Sequence, residues 1–166
     1  MRLLLLADTH VPRRARAIPG EVWREVDRAD LVVHAGDWVA VSLLDALEQR
    51  ASQLLAVFGN NDGARLRARL PEVAVEDLGG VRVGVVHETG PRRGREERAR
   101  TRWPDLDLLV FGHSHIPWDS RIDGLRLLNP GSPTDRRRQP HCTYITLTLH
   151  DGAVTDVVLH ELPSRS

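Results

Sequence analysis

Six short apolar runs punctuate the chain: Leu3–Ala7, Leu31–Val33, Leu54–Phe58, Val81–Val86, Leu106–Phe111 and Leu125–Leu128. Each is apolar on both faces and too brief for a helix, the pattern of a strand buried between two layers. Helix-like stretches separate them. Ile18–Ala29 carries apolar residues at positions 18, 22, 26 and 29. Ser42–Ala51 opens with Ser42 and has Asp45 three residues on, a variant of the capping box. Asp62–Leu70 ends at Pro71 and Arg95–Trp103 at Pro104, and proline commonly stops a helix. In the last third the period changes to two: Thr143–Leu149 alternates polar and apolar residues, Asp151-Gly152 follows, and Val154–Leu162 has strand composition. That reads as an antiparallel hairpin. The alternation of strands and helices predicts an α/β fold, parallel early and antiparallel late, in a single domain over residues 1–166.

Composition narrows the possibilities. With 41% hydrophobic and 28% charged residues in a chain of 166, the sequence is that of a globular domain. The 23 basic residues balance 23 acidic ones, so bulk charge draws it to neither nucleic acid nor an acidic membrane. All 23 basic residues are Arg, which excludes a Schiff-base lysine and a P-loop lysine. A single cysteine, Cys142, excludes an internal disulfide and a Cys-cluster zinc site and suits a reducing compartment. The opening apolar run is too short for a signal-peptide core, and no stretch reaches membrane-spanning length. We therefore expect a cytoplasmic protein with no membrane partner.

The chemistry sits where the apolar runs stop. They lead into Asp8-Thr9-His10, His34-Ala35-Gly36-Asp37, Gly59-Asn60-Asn61-Asp62, His87, Gly112-His113-Ser114-His115 and Asn129-Pro130-Gly131-Ser132. Asp8, Asp37, Asn60, His87 and His113 are separated by 29, 23, 27 and 26 residues, about one strand–helix–strand unit each time. Open α/β sheets bind ligands beyond the carboxyl ends of such strands, so these groups should converge. Two carboxylates, an amide oxygen and several imidazoles suit borderline divalent metals such as Mn, Fe, Co, Ni or Zn. Glycines before Asp37, Asn60 and His113 let the backbone turn sharply and approach a ligand.

In this order, Asp8-x-His10, Gly36-Asp37, Gly59-Asn60-x-Asp62, His87 and Gly112-His113-x-His115 resemble the calcineurin-like metallophosphoesterase superfamily. The short length and Asn129-Pro130-Gly131-Ser132 resemble its small single-domain phosphodiesterase branch. The resemblance implies a four-layer α/β/β/α sandwich with mixed sheets. It also implies a dinuclear centre of divalent transition metals, manganese first. One metal would take Asp8, His10, Asp37 and His115; the other would take Asp37, Asn60, His87 and His113. A hydroxide between the metals would attack phosphorus, with Asp37, Asn60, His87 and His113 as the catalytic set. Two divalent ions bring +4 and Asp8, Asp37 and hydroxide −3, leaving a centre suited to a phosphate anion. Metal ions ~3.5–4 Å apart can hold both the attacking and the phosphoryl oxygens. The implied substrate is a small phosphodiester or phosphomonoester.

Two departures matter. Where many members place His after the ligand Asn, this chain has Asn61, and Glu88-Thr89-Gly90 follows His87 where many carry a second His. Both remove a candidate acid for the leaving group, so esters with good leaving groups should react fastest. Substrate contacts are expected from Asn61, Arg92 and Arg93. Asp62 is read as a support for Asn60 or a ligand histidine, and equally as a helix cap. His34 reads as a core histidine, Asn129 and Ser132 as turn formers, Arg136-Arg137-Arg138 as a surface run, and Trp38 and Trp118 as packing residues. Two other functions share this pattern: a scaffold that keeps the fold without the chemistry, as a vacuolar-sorting relative does, and a nuclease holding a strand on its arginines. A homo-oligomer through an edge strand or the hairpin is compatible with the sequence.

Overall fold

The computed structural model describes residues 1–163. In chain order the elements are β1 (Arg2–Leu6), α1 (Gly20–Arg28), β2 (Leu31–Ala35), α2 (Val41–Arg50), β3 (Leu54–Val57) and a one-turn α3 (Ala64–Arg67). There follow β4 (Val73–Leu78), β5 (Val81–Val86), α4 (Arg95–Arg102), β6 (Leu108–Val110), β7 (Trp118–Ile122), β8 (Leu125–Asn129), β9 (Cys142–His150) and β10 (Ala153–Leu162). They form two five-stranded sheets, ordered β10-β9-β1-β2-β3 and β4-β5-β6-β8-β7. Within the first, β1, β2 and β3 are parallel; within the second, β5, β6 and β8 are. The anticipated antiparallel hairpin closes the first sheet, with β9 against β1 and β10 outside it.

The alternation along β1 explains why Leu3–Leu6 is apolar throughout. Leu3, Leu5 and Ala7 join Val33, Val57, Val83, Val85, Val110 and Leu128 in the core between the sheets. Leu4 and Leu6 face the other way, onto Val22 and Val26 of α1 and Leu44 and Leu47 of α2. The outer face of the second sheet is covered in part by α4, with Leu109, Phe111, Leu125 and Leu127 around Ala99. The result is the expected α/β/β/α sandwich.

Three local expectations change. β4 and β7 had no counterpart among the apolar runs. Both are edge strands that carry exposed polar residues, as in Glu76, Asp77, Asp119 and Arg121. The Asp62–Leu70 helix shrinks to one turn, because the chain must cross from the first sheet to the second rather than return beside β3. Ser42 does not cap: α2 starts at Val41 and its Ala40 cap makes no side-chain hydrogen bond.

Candidate metal centre

The strand ends converge on one rim, but from two sheets rather than one. Asp8, Asp37 and Asn60 follow β1, β2 and β3; His87, His113 and His115 follow β5 and β6. Hydrogen bonds join the two groups: His113 N donates to Asp8 Oδ1 (3.2 Å), and His87 Nδ1 donates to Ala35 O (2.7 Å). β1, β2 and β6 leave their sheets through left-handed residues, a conformation most side chains avoid. Asp8, His10, Asp37, His113 and His115 have φ of 53°, 45°, 62°, 71° and 60°. The glycines supply room. A Cβ on Gly59 would collide with Asp37 Oδ1 and N, and one on Gly36, itself at φ 90°, would lie 2.8 Å from His87 Nδ1.

The side chains form two groups that meet at Asp37. Asp8, His10 and His115 are all buried, with His10 Nε2 3.1 Å from His115 Nε2 and 3.4 Å from Asp37 Oδ2. On the other side His87 Nε2 lies 3.4 Å from Asp37 Oδ1 and 2.9 Å from Asn60 Oδ1, and His113 Nδ1 lies 3.0 Å from the same Asn60 oxygen. The tautomers follow from outer partners. His115 Nδ1 donates to Asp135 O (2.6 Å) and His87 Nδ1 to Ala35 O, so each Nε2 presents a lone pair. Those lone pairs face acceptors: His115 Nε2 is 3.6 Å from Asp8 Oδ1, and His87 Nε2 faces Asp37 and Asn60. Asp8 Oδ2 is buried with no hydrogen-bond partner. Acceptors converging out of water are held apart by repulsion unless a cation sits among them. Asp8, His10 and His115, and likewise Asp8, Asp37 and His87, bring ligand atoms close enough together to hold a metal ion.

The electrostatics agree. Burial, reinforced by the nearby Asp37 carboxylate, holds the Asp8 carboxyl well above its usual range. Burial lowers His10 and His87, and takes His115 down to about 4. The imidazoles are therefore neutral near pH 7, the form that ligates metal. Burial would also raise Asp37, but His87, two hydrogen bonds from Asn61 and His10 outweigh it and leave it below its ordinary value. The positive charge of Arg137 is felt at Asp8, His10 and His115, lowering all three.

Several side chains hold these turns. Asp62 does not cap α3, and its carboxylate hydrogen-bonds neither Asn60 nor a site histidine. Its carboxylate accepts from the backbone N–H of Asp37 (3.0 Å), Val39 (2.8 Å) and Gly59 (2.7 Å), tying the second and third strand ends together. His34 is buried and stacked on Trp38 at 3.6 Å between ring centroids. Its Nδ1 accepts from Gly36 N, so its Nε2 donates to Thr9 Oγ1 (3.1 Å), and Thr9 hands its own proton to Asp37 O. Asn129 and Ser132 do more than shape a turn: Asn129 Nδ2 donates to Gly112 O (2.9 Å) and Ser132 Oγ to Asp8 O (2.7 Å). Thr134 and Asp135 escaped the sequence reading. Thr134 Oγ1 donates to Thr9 O (2.6 Å), and Asp135 acts on His115 through a backbone carbonyl, which no side-chain pattern reveals. Among the residues expected to meet substrate, Asn61 turns its amide onto Asp37 Oδ2 (2.7 Å). Arg92 lies over the Trp118 ring at 5.1 Å, and Arg93 offers its carbonyl to Arg98.

Comparison with known proteins places this arrangement. The family model described as the calcineurin-like phosphoesterase superfamily domain matches residues 1–152. A probable metallophosphoesterase of Methanocaldococcus jannaschii is 33% identical over 137 residues, 81% of this chain and 69% of its own. A phosphodiesterase of the same organism is 25% identical over 144 residues, covering 79% and 83%. The crystal structure of Vps29 from Entamoeba histolytica complexed with Zn2+ superimposes with a TM-score of 0.79 at 24% identity, over 98% of both chains. This chain belongs to the calcineurin-like phosphoesterase superfamily.

Proposed function

We propose that the protein hydrolyses phosphate esters, diesters by preference, with two divalent transition metals, manganese first and Ni, Co, Fe or Zn as alternatives. What supports the reading is one observation: the candidate ligands lie in two groups that meet at Asp37, with the lone pairs of His87 and His115 turned inward. Asp8, His10, Asp37 and His115 would hold one ion; Asp37, Asn60, His87 and His113 the other. When bound, such ions supply a water of lowered pKa and positive charge for a phosphoryl oxygen. The chain's own residues hold the ligands rigid: Asn61 fixes Asp37, Ala35 and Asp135 fix the tautomers of His87 and His115, and His113 at the surface faces the arriving ester. Positioning and charge are most of what in-line displacement at phosphorus asks of a protein.

The test is to deplete the protein of metal and assay it against bis(p-nitrophenyl) phosphate and p-nitrophenyl phosphate, adding Mn, Ni, Co, Zn and Mg separately. Diester turnover with a transition metal and none with Mg is expected. Silence with every metal would favour the second reading, a non-catalytic scaffold, which the likeness to Vps29 makes worth testing. Asn61 has no useful acidity, so across a series of aryl and alkyl esters the rate should fall steeply as leaving-group pKa rises. A flat series would restore a proton donor.

A further inference from the structure

A cavity of about 500 Å3 opens beside the buried Asp8, His10 and His115 group, lined by Arg14, Ser114, Ile116, Asp135, Arg137 and Arg138 among others. Its wall is continuous with the ligands. Arg14 N donates to His10 O (2.9 Å), Ser114 and Ile116 flank His115 in the chain, and Asp135 holds His115 Nδ1. Three arginines line it with one aspartate, and that carboxylate is engaged: Asp135 Oδ1 accepts from Arg137 N (3.3 Å), while Oδ2 lies 3.7 Å from Arg14 Nε. Arg137 takes a left-handed φ of 49°, the kind of unfavourable backbone that accumulates at ligand sites. Its charge already acts on Asp8, His10 and His115.

We infer that Arg14 and Arg137 form an anion subsite that takes a second phosphate carried by the substrate, on the His10–His115 side of the scissile ester. Guanidinium forks match phosphate oxygens with paired hydrogen bonds, and two of them leave a cavity with surplus positive charge. The preferred substrates are then diesters with a further phosphate, rather than neutral-flanked diesters or free monoesters. The inference rests on the phosphoesterase reading for the identity of the ester, but not for the existence of the anion site.

Two measurements separate them. The first compares kcat/KM for thymidine 5′-(p-nitrophenyl phosphate) with that for the same compound bearing a 3′-phosphate, so that leaving group and nucleoside are fixed. In the native protein the 3′-phosphate should raise kcat/KM about tenfold or more, the worth of one charge-assisted pair. Arg14→Gln and Arg137→Gln should bring the ratio towards one. The second is calorimetric titration of metal-depleted protein with inorganic pyrophosphate. The same variants should weaken binding about tenfold, and Arg65→Ala, on α3 outside this cavity, should not. No gain from the 3′-phosphate, equal losses on both esters, or unaltered pyrophosphate binding would each overturn the subsite. If no ester is turned over with any metal, the phosphoesterase reading fails alone, and the titration decides the pocket.

Discussion

The two donor groups that share Asp37 are built differently. Asp8, His10 and His115 are sealed, and the loop after β8 reaches over them, with Ser132 on Asp8 O, Thr134 on Thr9 O and the Asp135 carbonyl on His115. On the other side Asn60 is exposed, His113 has 45% of its side chain in solvent, and exposed Glu88 stands 3.9 Å from it. Asp37, buried, touches both groups. Under the proposed function, the sealed half retains an ion and the open half meets what arrives from solution.

The largest effect should come from removing what the halves have in common. Asp37→Ala should empty both sides and lower turnover by about 1,000-fold or more. Metal content by mass spectrometry beside the rate checks this, and loss from one side only would mean that the halves are independent.

Acid should strike the sealed half. In the unfolded chain an imidazole titrates near 6.5, whereas His115 in the fold does so at about 4. As pH falls below 6.5 the unfolded chain takes up the proton first, so stability drains away until about pH 4. His115 alone accounts for roughly 3 kcal/mol across that window, and His10 and His87 act in the same direction. Asp8 opposes them, because its raised folded pKa favours the protonated fold as acid is added. Urea unfolding of metal-depleted protein at pH 7 and pH 5 should show the net loss, and His115→Gln should flatten the pH dependence.

On the open side, His113→Ala should cut turnover roughly 10–100-fold while the sealed half keeps its ion. An equal loss of bound metal from both sides would erase the distinction. The smallest change is Ser132→Ala, which leaves the ligands in place but strands the Asp8 carbonyl. It should cost about 1 kcal/mol in urea unfolding.

Much of this could be read in the chain before any coordinates. Leu3–Ala7 announces a buried strand because both its faces are apolar, and the polar residues that end it and the other runs are the ones that converge. β4 and β7 were illegible for the opposite reason: half-exposed edge strands such as Val73–Leu78 carry Glu76 and Asp77 and look like loop. Asp62 was misleading because a carboxylate before a helix has the same chemistry whether it caps that helix or gathers N–H groups from two distant turns. Arg136, Arg137 and Arg138 are exposed, as the sequence suggested, but that Arg137 acts on Asp8 depends on the folded loop and shows in no sequence neighbour.

The left-handed turns at Asp8, His10, Asp37, His113 and His115 have a further bearing on how this protein can change. Each costs on the order of 1 kcal/mol that glycine would not incur. Replacing them with glycine would relax the backbone and remove five of the seven proposed ligands. Attempts to toughen the molecule by easing its most awkward backbone would thus converge on the five positions where any gain disarms it, and thermostabilising changes must be sought in the helices and outer strands instead.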